Sequence, residues 1–253
     1  MSLDKTLRIK NVSKQYRVDS GVVPVLDNIT LTVARGEFVS IVGPSGCGKS
    51  TLLKLVIGLE NDYQGTISLD GQAITGPSLT RGIVFQEHRL FPWLTVEANI
   101  GLGLEVAKMS PAEKATAIQE HLELVGLRDF AKAYPYQLSG GMAQRAAIAR
   151  ALVNKPEILL LDEPLGALDA FTRNILQQEL LRIWQQERLT VLLVTHDVEE
   201  AVYLGDKIVI MHPRPGRIQK VIPAPFPHPR NKAHPDFVAL KEQVLSAITH
   251  GAS

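Results

Sequence analysis

Polar and apolar residues trade places at every second position near the start of the chain. Leu7 and Ile9, and later Ile29, Leu31 and Val33, stand between polar neighbours, which is the period of antiparallel strands that bury one face and wet the other. Phe38 to Val42 replaces that rhythm with an apolar run, as expected of a parallel strand covered on both sides. Alternation resumes from Thr66 to Ile74 around the turn pair Asp70-Gly71, and Ile83 to Phe85 predicts one more short strand. From about Leu94 to Asn154 the pattern turns helical. There Ser110-Pro111-Ala112-Glu113 spells a capping box with proline at the first helical position, and Gly126 is a stop signal. Strands return at Ile158 to Leu161, Thr190 to Thr195 and Lys207 to Met211, with a helix after the first that lines up Leu176, Leu180, Ile183 and Trp184. Strands alternating with helices predict a parallel sheet covered by helices. Prolines at 213, 215, 223, 225, 227 and 229 exclude a central strand or helix there, while Phe237, Leu240, Val244 and Ile248 predict a last amphipathic helix. No internal repeat is visible.

Composition narrows the picture. The 253 residues suffice for one large domain or for a domain carrying an inserted sub-domain. With 27 basic and 26 acidic residues the net charge is +1, which gives no electrostatic case for nucleic acid or anionic lipid as the main partner. Cys47 is the only cysteine, so no intrachain disulfide forms, and a reducing compartment suits the chain. The longest apolar runs, such as Ile158 to Leu161 and Val191 to Val194, fall far short of the ~18 residues that cross a bilayer. The opening MSLDKTLRIK lacks the apolar core of a secretion signal, so the expected location is the cytoplasm.

The first chemical motif is Gly43-Pro44-Ser45-Gly46-Cys47-Gly48-Lys49-Ser50, followed by Thr51. It fits G-x-x-x-x-G-K-[ST] and has the required context, a strand before it and the apolar-periodic segment Leu52 to Ile57 after it. In such a loop the glycines let successive N–H groups and the helix N-terminus point at phosphate oxygens, Lys49 adds a point charge on the outer phosphates, and Ser50 offers an oxygen to Mg²⁺. The competing explanation is a glycine-rich strand-to-helix turn that binds nothing. Cys47 reads as a small residue, with a reactive thiol lowered in pKa by the helix N-terminus as the alternative.

A second motif is the strand Ile158 to Leu161 ending in Asp162 and Glu163. Acids at the carboxyl end of a strand in an α/β fold face the ligand crevice, so Asp162 is expected to hold the Mg²⁺ shell and Glu163 to accept a proton from the attacking water. The alternative is that both acids only cap the turn at Pro164.

The segment Leu138-Ser139-Gly140-Gly141-Met142, continuing Ala143-Gln144-Arg145 into a helix through Leu152, resembles the signature motif of ABC ATPases. Its Ser139 and the N–H groups of Gly140 and Gly141 make a second anion site at a helix N-terminus, which the chain's own phosphate loop does not need. The resemblance implies that the ligand is the ATP of a second copy, so that a homodimer closes head to tail on two nucleotides. It also implies the fold: a RecA-like P-loop core of parallel sheet, with an N-terminal antiparallel β subdomain and an inserted α-helical subdomain. On that basis residues 1–230 form the ATPase domain, the insertion spans about 94–154, and 231–253 is a helical tail. Met142 departs from the commonest signature, which has glutamine there.

Further matches follow the family's order. Tyr16 resembles the aromatic that stacks on adenine, with core packing as the alternative. Gln86 resembles the glutamine that meets Mg²⁺ and the attacking water while its loop touches a membrane subunit, and otherwise reads as a surface residue. Asp169, in Ala167-Leu168-Asp169, matches a loop that crosses the dimer interface and would equally cap the next helix. His196, after a buried strand, resembles the switch histidine on the γ-phosphate.

Leu90-Phe91-Pro92-Trp93-Leu94-Thr95-Val96, Asp162 to Arg173 and Pro213-Arg214-Pro215-Gly216-Arg217-Ile218 look like the importer subfamily for nitrate, sulfonate and taurine. That likeness implies integral permease subunits, a periplasmic or extracellular solute-binding protein, and a place on the cytoplasmic face of the inner membrane. Phe91, Pro92 and Trp93 read as part of a socket for the permease, or as core in the case of Trp93. Of two other classes, one shares every nucleotide motif and one shares only the phosphate loop. A soluble ABC clamp on nucleic acid or ribosomes is opposed by the single nucleotide unit, the missing coiled-coil arm and the near-neutral charge. A small-molecule kinase leaves Leu138 to Met142 unexplained.

Overall fold

Strand signals near the N-terminus give two long strands, β1 (Thr6–Val18) and β2 (Gly21–Ala34), which pair antiparallel as the alternation requires. The computed structural model describes residues 6–19 and 21–250. The opening residues in which a secretion signal was sought, 1–5, and the last of the tail, 251–253, lie outside them. Next come the fully buried strand β3 (Phe38–Val42), helix α1 (Lys49–Ile57), and a hairpin of β4 (Gln64–Leu69) and β5 (Gln72–Ala73) that turns at Asp70-Gly71. Strand β6 (Arg81–Val84) precedes helices α2 (Val96–Gly101), α3 (Pro111–Leu124) and α4 (Gly140–Leu152). Strand β7 (Ile158–Asp162), helix α5 (Ala170–Glu187), strand β8 (Thr190–Thr195) and helix α6 (Val198–Leu204) follow. The chain ends in β9 (Lys207–His212), β10 (Arg217–Pro223) and α7 (Pro235–His250).

These elements form two compact units. The first joins residues up to Ser78 with those from Leu189 onward, and the second runs from Leu79 to Arg188. In the first, β2, β1, β4 and β5 lie side by side as an antiparallel sheet. A second sheet there sets β3 parallel to β8 on one side and to β9 on the other, with β10 antiparallel at its edge. Leu7, Ile9, Ile29, Leu31 and Val33 are all buried, so the alternating residues do form the inner face of the antiparallel pair. In the second unit, β6 runs parallel to β7, and α2 to α5 supply the rest. The Ser110 box forms as spelled: Ser110 Oγ accepts from the Glu113 N–H, and the Glu113 carboxylate accepts from the Ser110 N–H. Leu176, Leu180 and Ile183 are buried along α5, and Trp184 is half-buried beside them.

Two elements differ from expectation. The strand expected at Ile83 to Phe85 lies earlier, because β7 sets its register and the Phe85 carbonyl is taken by the Gln144 side chain instead of a neighbouring strand. The proline-rich stretch also holds a strand, β10. The exclusion of a central strand stands, since β10 is an edge strand, where a missing N–H costs no ladder bond.

The chain after β10 is tied down by Arg230, which carries no local sequence signal. Its buried guanidinium donates to the carbonyls of Phe226, Gly205, Ala224 and Val202. Burial pulls its pKa down to about 10, against the charge of Asp206, so it stays charged near neutral pH. Burial alone would raise Asp206, but hydrogen bonds from His228 and the Phe38 N–H, with the charge of Arg230, hold it below the usual carboxylate range. A carboxylate held low contributes its stability in full at neutral pH and loses it only as acid titrates it below its ordinary value. Beyond this anchor α7 buries Phe237, Leu240 and Val244, with Ile248 half-buried, and packs on α6 and β9. Arg230→Leu, which leaves three buried carbonyls and one part-buried carbonyl without this donor, is expected to lower unfolding free energy by about 2–4 kcal/mol in denaturant titration.

Candidate functional site

In the first unit, the parallel register places Val42 of β3 opposite Thr195 of β8. The chain therefore leaves both strands side by side, into the glycine-rich loop at Gly43 and into His196. The loop ends at Gly48, the N-cap of α1, which has no side chain to cap the first-turn N–H groups, so the helix start suits an anion. Lys49 is only 6% exposed, and its ammonium donates to the Gly43 and Pro44 carbonyls at 2.7 and 3.1 Å. Pro44, Ser45, Gly46 and Ser50 are exposed around it. A helix start with glycine as its N-cap, beside a held lysine and an exposed hydroxyl, is the donor set that a triphosphate fits. Cys47 is buried, and that burial pushes its thiol up in spite of the lowering by Lys49, so it packs as a small apolar residue and the reactive-thiol alternative fails.

Tyr16 on β1 is half-buried, outside the core. Its phenol donates to Glu60 Oε2 at 2.6 Å and hydrogen-bonds the side chain of Thr51 in the first turn of α1. Burial and then Glu60 raise its pKa. His196 is exposed just past β8, between Thr195, whose hydroxyl donates to Glu200, and Asp197, which caps α6 by accepting from the Glu200 N–H.

A support of the loop has no counterpart in the motif itself. Gly216, in the turn between β9 and β10, donates its N–H to the Val25 carbonyl at 2.8 Å and accepts from Asp27 at 2.9 Å. A Cβ there would come within 2.1 Å of the Cys47 carbonyl oxygen, so this turn backs directly onto the phosphate loop. Arg217 continues the clasp by donating to Asp27. The Gly-Arg pair stands inside the Pro213 to Ile218 run that carried the subfamily likeness, yet nothing local marks it as a buttress.

In the second unit, Val84 of β6 stands opposite Leu161 of β7. Gln86 and Glu163 each follow two residues later, so the structure brings them to neighbouring strand ends, with Asp162 as the last residue of β7. Both acids are half-buried and Gln86 is exposed. Glu163 has φ 48°, in the left-handed region that costs a non-glycine residue energy, and such strain clusters at working sites. Arg89 stacks over the Phe85 ring at 4.0 Å. From α4, Gln144 donates to the Phe85 carbonyl at 3.3 Å, and Arg150 donates to those of Arg89 and His88 at 2.8 and 3.0 Å. The loop of Gln86 is thus held by the helix that begins at Ser139. These two holding residues were missed. Their one signal is that they are polar positions on an alanine-rich helix with a buried face.

Ser139 is the N-cap of α4, its Oγ accepting from the Met142 N–H at 3.3 Å; Ser139 and Gly140 are exposed and Gly141 is buried. Asp169 caps α5, accepting from the Phe171 and Thr172 N–H groups at 3.0 Å and from the Thr172 hydroxyl at 2.6 Å, and these bonds, Thr172 first, hold its pKa down. Thr172 touches both motifs, since a Cβ on Gly141 would meet its Cγ2 at 2.6 Å. Trp93 is 69% exposed, which rules out its core-packing alternative, and its ring tilts against Phe91 at 5.3 Å. Fully buried Asn99 presents the pair by accepting from the Phe91 N–H and donating to the carbonyls of Phe91, Leu94 and Thr95.

Residues 26–166 match the model of the family described as ABC transporter. The chain is 52% identical over 246 residues to the aliphatic sulfonates import ATP-binding protein SsuB of Bacillus thuringiensis subsp. konkukian (strain 97-27), covering 97% of each chain. It is 52% identical over 222 residues to the protein of the same name from Bacillus subtilis (strain 168), covering 88% of this chain and 86% of that one. Among solved structures, the ATP-binding cassette MJ0796, in a dimeric post-hydrolysis state bound to ADP and Pi, superposes with TM-score 0.76 at 35% identity. The superposition covers 87% of this chain and 99% of that one.

The contact between Gly141 and Thr172 can be tested by itself. Gly141→Ala is expected to cost about 1–3 kcal/mol in thermal or denaturant unfolding through overpacking, and adding Thr172→Ser, which keeps the hydroxyl on Asp169 but deletes Cγ2, should recover most of it.

Proposed function

The chain belongs to the ABC transporter family, and from that membership we propose that it is the ATP-binding and ATP-hydrolysing subunit of an importer. The observation that carries the reading is the pair of helix starts suited to anions in one chain: α1, capped by Gly48 beside Lys49, and α4, capped by Ser139. One triphosphate needs only the first. The second serves the nucleotide of another copy, so two chains close head to tail, each lending Ser139, Gly140, Gly141 and Asp169 to the ATP on its partner's loop.

Within this reading Gly43 to Thr51 hold the phosphates through backbone N–H groups and the Lys49 charge, and Tyr16 stacks on the base. Among the described residues no group of three or more His, Cys, Asp or Glu could hold a metal. Ser50, Gln86 and Asp162 nevertheless offer the hard oxygens that Mg²⁺ takes alongside phosphate oxygens and water, so they fit it. Mg²⁺, when bound, neutralises charge on the terminal phosphates. Glu163 accepts the proton of the attacking water, Gln86 helps to orient that water, and His196 donates a hydrogen bond to the γ-phosphate.

The importer's cargo is an aliphatic sulfonate or a similar small anion such as nitrate or taurine, delivered by a periplasmic or extracellular binding protein. This subunit does not touch it. Among the described residues no helix is long and apolar enough to cross a membrane. The subunit sits peripherally on the cytoplasmic face of the inner membrane, held by permease chains that dock on Phe91 and Trp93, which Asn99 presents to solvent. The clamp on nucleic acid gains no support from relatives that are import subunits over nearly their whole length.

Two measurements decide these points. Glu163→Gln should bind MgATP and dimerise while hydrolysis falls about 10²–10⁴-fold, and near-normal turnover in the assembled transporter would falsify the base assignment. Trp93→Ala should reduce permease co-purification and leave ATP affinity alone, and unchanged assembly removes the socket.

A further inference from the structure

Tyr16 is held by two residues outside the nucleotide motifs, Glu60 and Lys14. Glu60, three residues past the end of α1, accepts from the phenol at 2.6 Å, a short bond assisted by the carboxylate's charge. The Lys14 ammonium lies 4.7 Å from the centre of the Tyr16 ring and covers one of its faces. That ammonium is buried and pinned, donating to the Asp62 carbonyl at 2.6 Å and pairing with Glu60 at 3.7 Å and with Asp62 at 3.6 Å. Lys54 on α1 approaches the other oxygen of Glu60 at 3.8 Å. Glu60 is therefore the hub: one oxygen meets both the phenol and the cation above the ring, and the other is tethered to the helix that starts at the phosphate loop.

We propose that Glu60 is a positioning residue for the nucleotide base, fixing the plane of Tyr16 so that the face Lys14 leaves uncovered is presented to the base of a nucleotide held by the phosphate loop. This rests on the reading of Tyr16 as the base-stacking aromatic. Stability alone does not call for the bond, because a half-buried phenol without Glu60 can hydrogen-bond to water. Orientation does call for it. A tyrosine side chain turns about two single bonds, and stacking is realised only when ring and base lie parallel, so an untethered ring spends part of the stacking energy on becoming ordered. The tether also links the base end of the site to the phosphate end through α1, since Thr51 and Lys54 belong to that helix.

The test separates base from phosphate by comparing MgATP with magnesium tripolyphosphate, which has the phosphates and no base, as ligands of the purified full chain. Glu60→Leu is expected to lower the preference for ATP over tripolyphosphate about fivefold, the weak end of base stacking, with tripolyphosphate affinity unchanged. Glu60→Gln, which keeps an acceptor oxygen, should retain most of the preference. Tyr16→Phe should match Glu60→Leu, and the double variant should be no worse than either alone. If Tyr16→Ala lowers the preference but Glu60→Leu and Tyr16→Phe leave it within twofold of the parent, the positioning role is overturned and base stacking stands. Equal weakening of both ligands by Glu60→Leu also overturns it, because the defect then lies in the phosphate loop. If Tyr16→Ala itself leaves the preference unchanged, the stacking reading falls and the proposal with it. Should Glu60→Leu fail to fold, Tyr16→Phe alone decides, since an unchanged preference there rejects the tether.

Discussion

A backbone that must turn its N–H groups inward cannot satisfy them by ordinary secondary structure, so its shape has to be imposed from outside. Residues 43–48 meet that constraint in two ways. Lys49 reaches back to the loop's first two carbonyls and holds them with a charge, and the strip Val25, Asp27 and Gly216 closes behind Cys47. Without both, the loop is a run of glycine and small residues with every reason to relax. The parallel register of β3 and β8 then decides which side chain emerges beside it, and His196 is that side chain.

The second unit solves a different problem with the same means. Its site residues are far apart in sequence; the loop of Gln86 is attached to α4 by side-chain bonds to main-chain carbonyls, while Ser139 and Asp169 accept from first-turn N–H groups of the helices they cap. Gln144 and Arg150 make α4 the carrier of the loop that bears Gln86, and Thr172 joins the cap of α5 to the glycine packing of α4. Ser139, Gln86 and Asp169 thus belong to helices and loops that share fastenings.

What the sequence disclosed was whatever is local. The phosphate-loop motif is eight consecutive residues, Gly43 to Ser50, running from the end of a strand into the start of a helix, and the Ser110 box closes within four, so both are written out in order. The alternation of Leu7, Ile9, Ile29, Leu31 and Val33 likewise needs only its own neighbours. What stayed hidden depends on partners far along the chain. Gln144 and Arg150 find carbonyls about sixty positions upstream, and Glu60 meets a tyrosine 44 positions earlier. β10 escaped notice because edge strands tolerate the prolines that argue against central ones. Trp93 could be read as core or surface until Asn99, an unremarkable asparagine in sequence, turned out to be the buried bracket that points it outward.

The hairpin turn at Gly216 lies some 170 positions beyond the loop it supports, and has no part in the chemistry. Because its backbone presses on the Cys47 carbonyl, a lengthened turn or any side chain at that glycine would register first as altered phosphate binding. A turn remote from the motif is therefore part of what shapes it, so the geometry of the phosphate loop is written in two distant places along the chain.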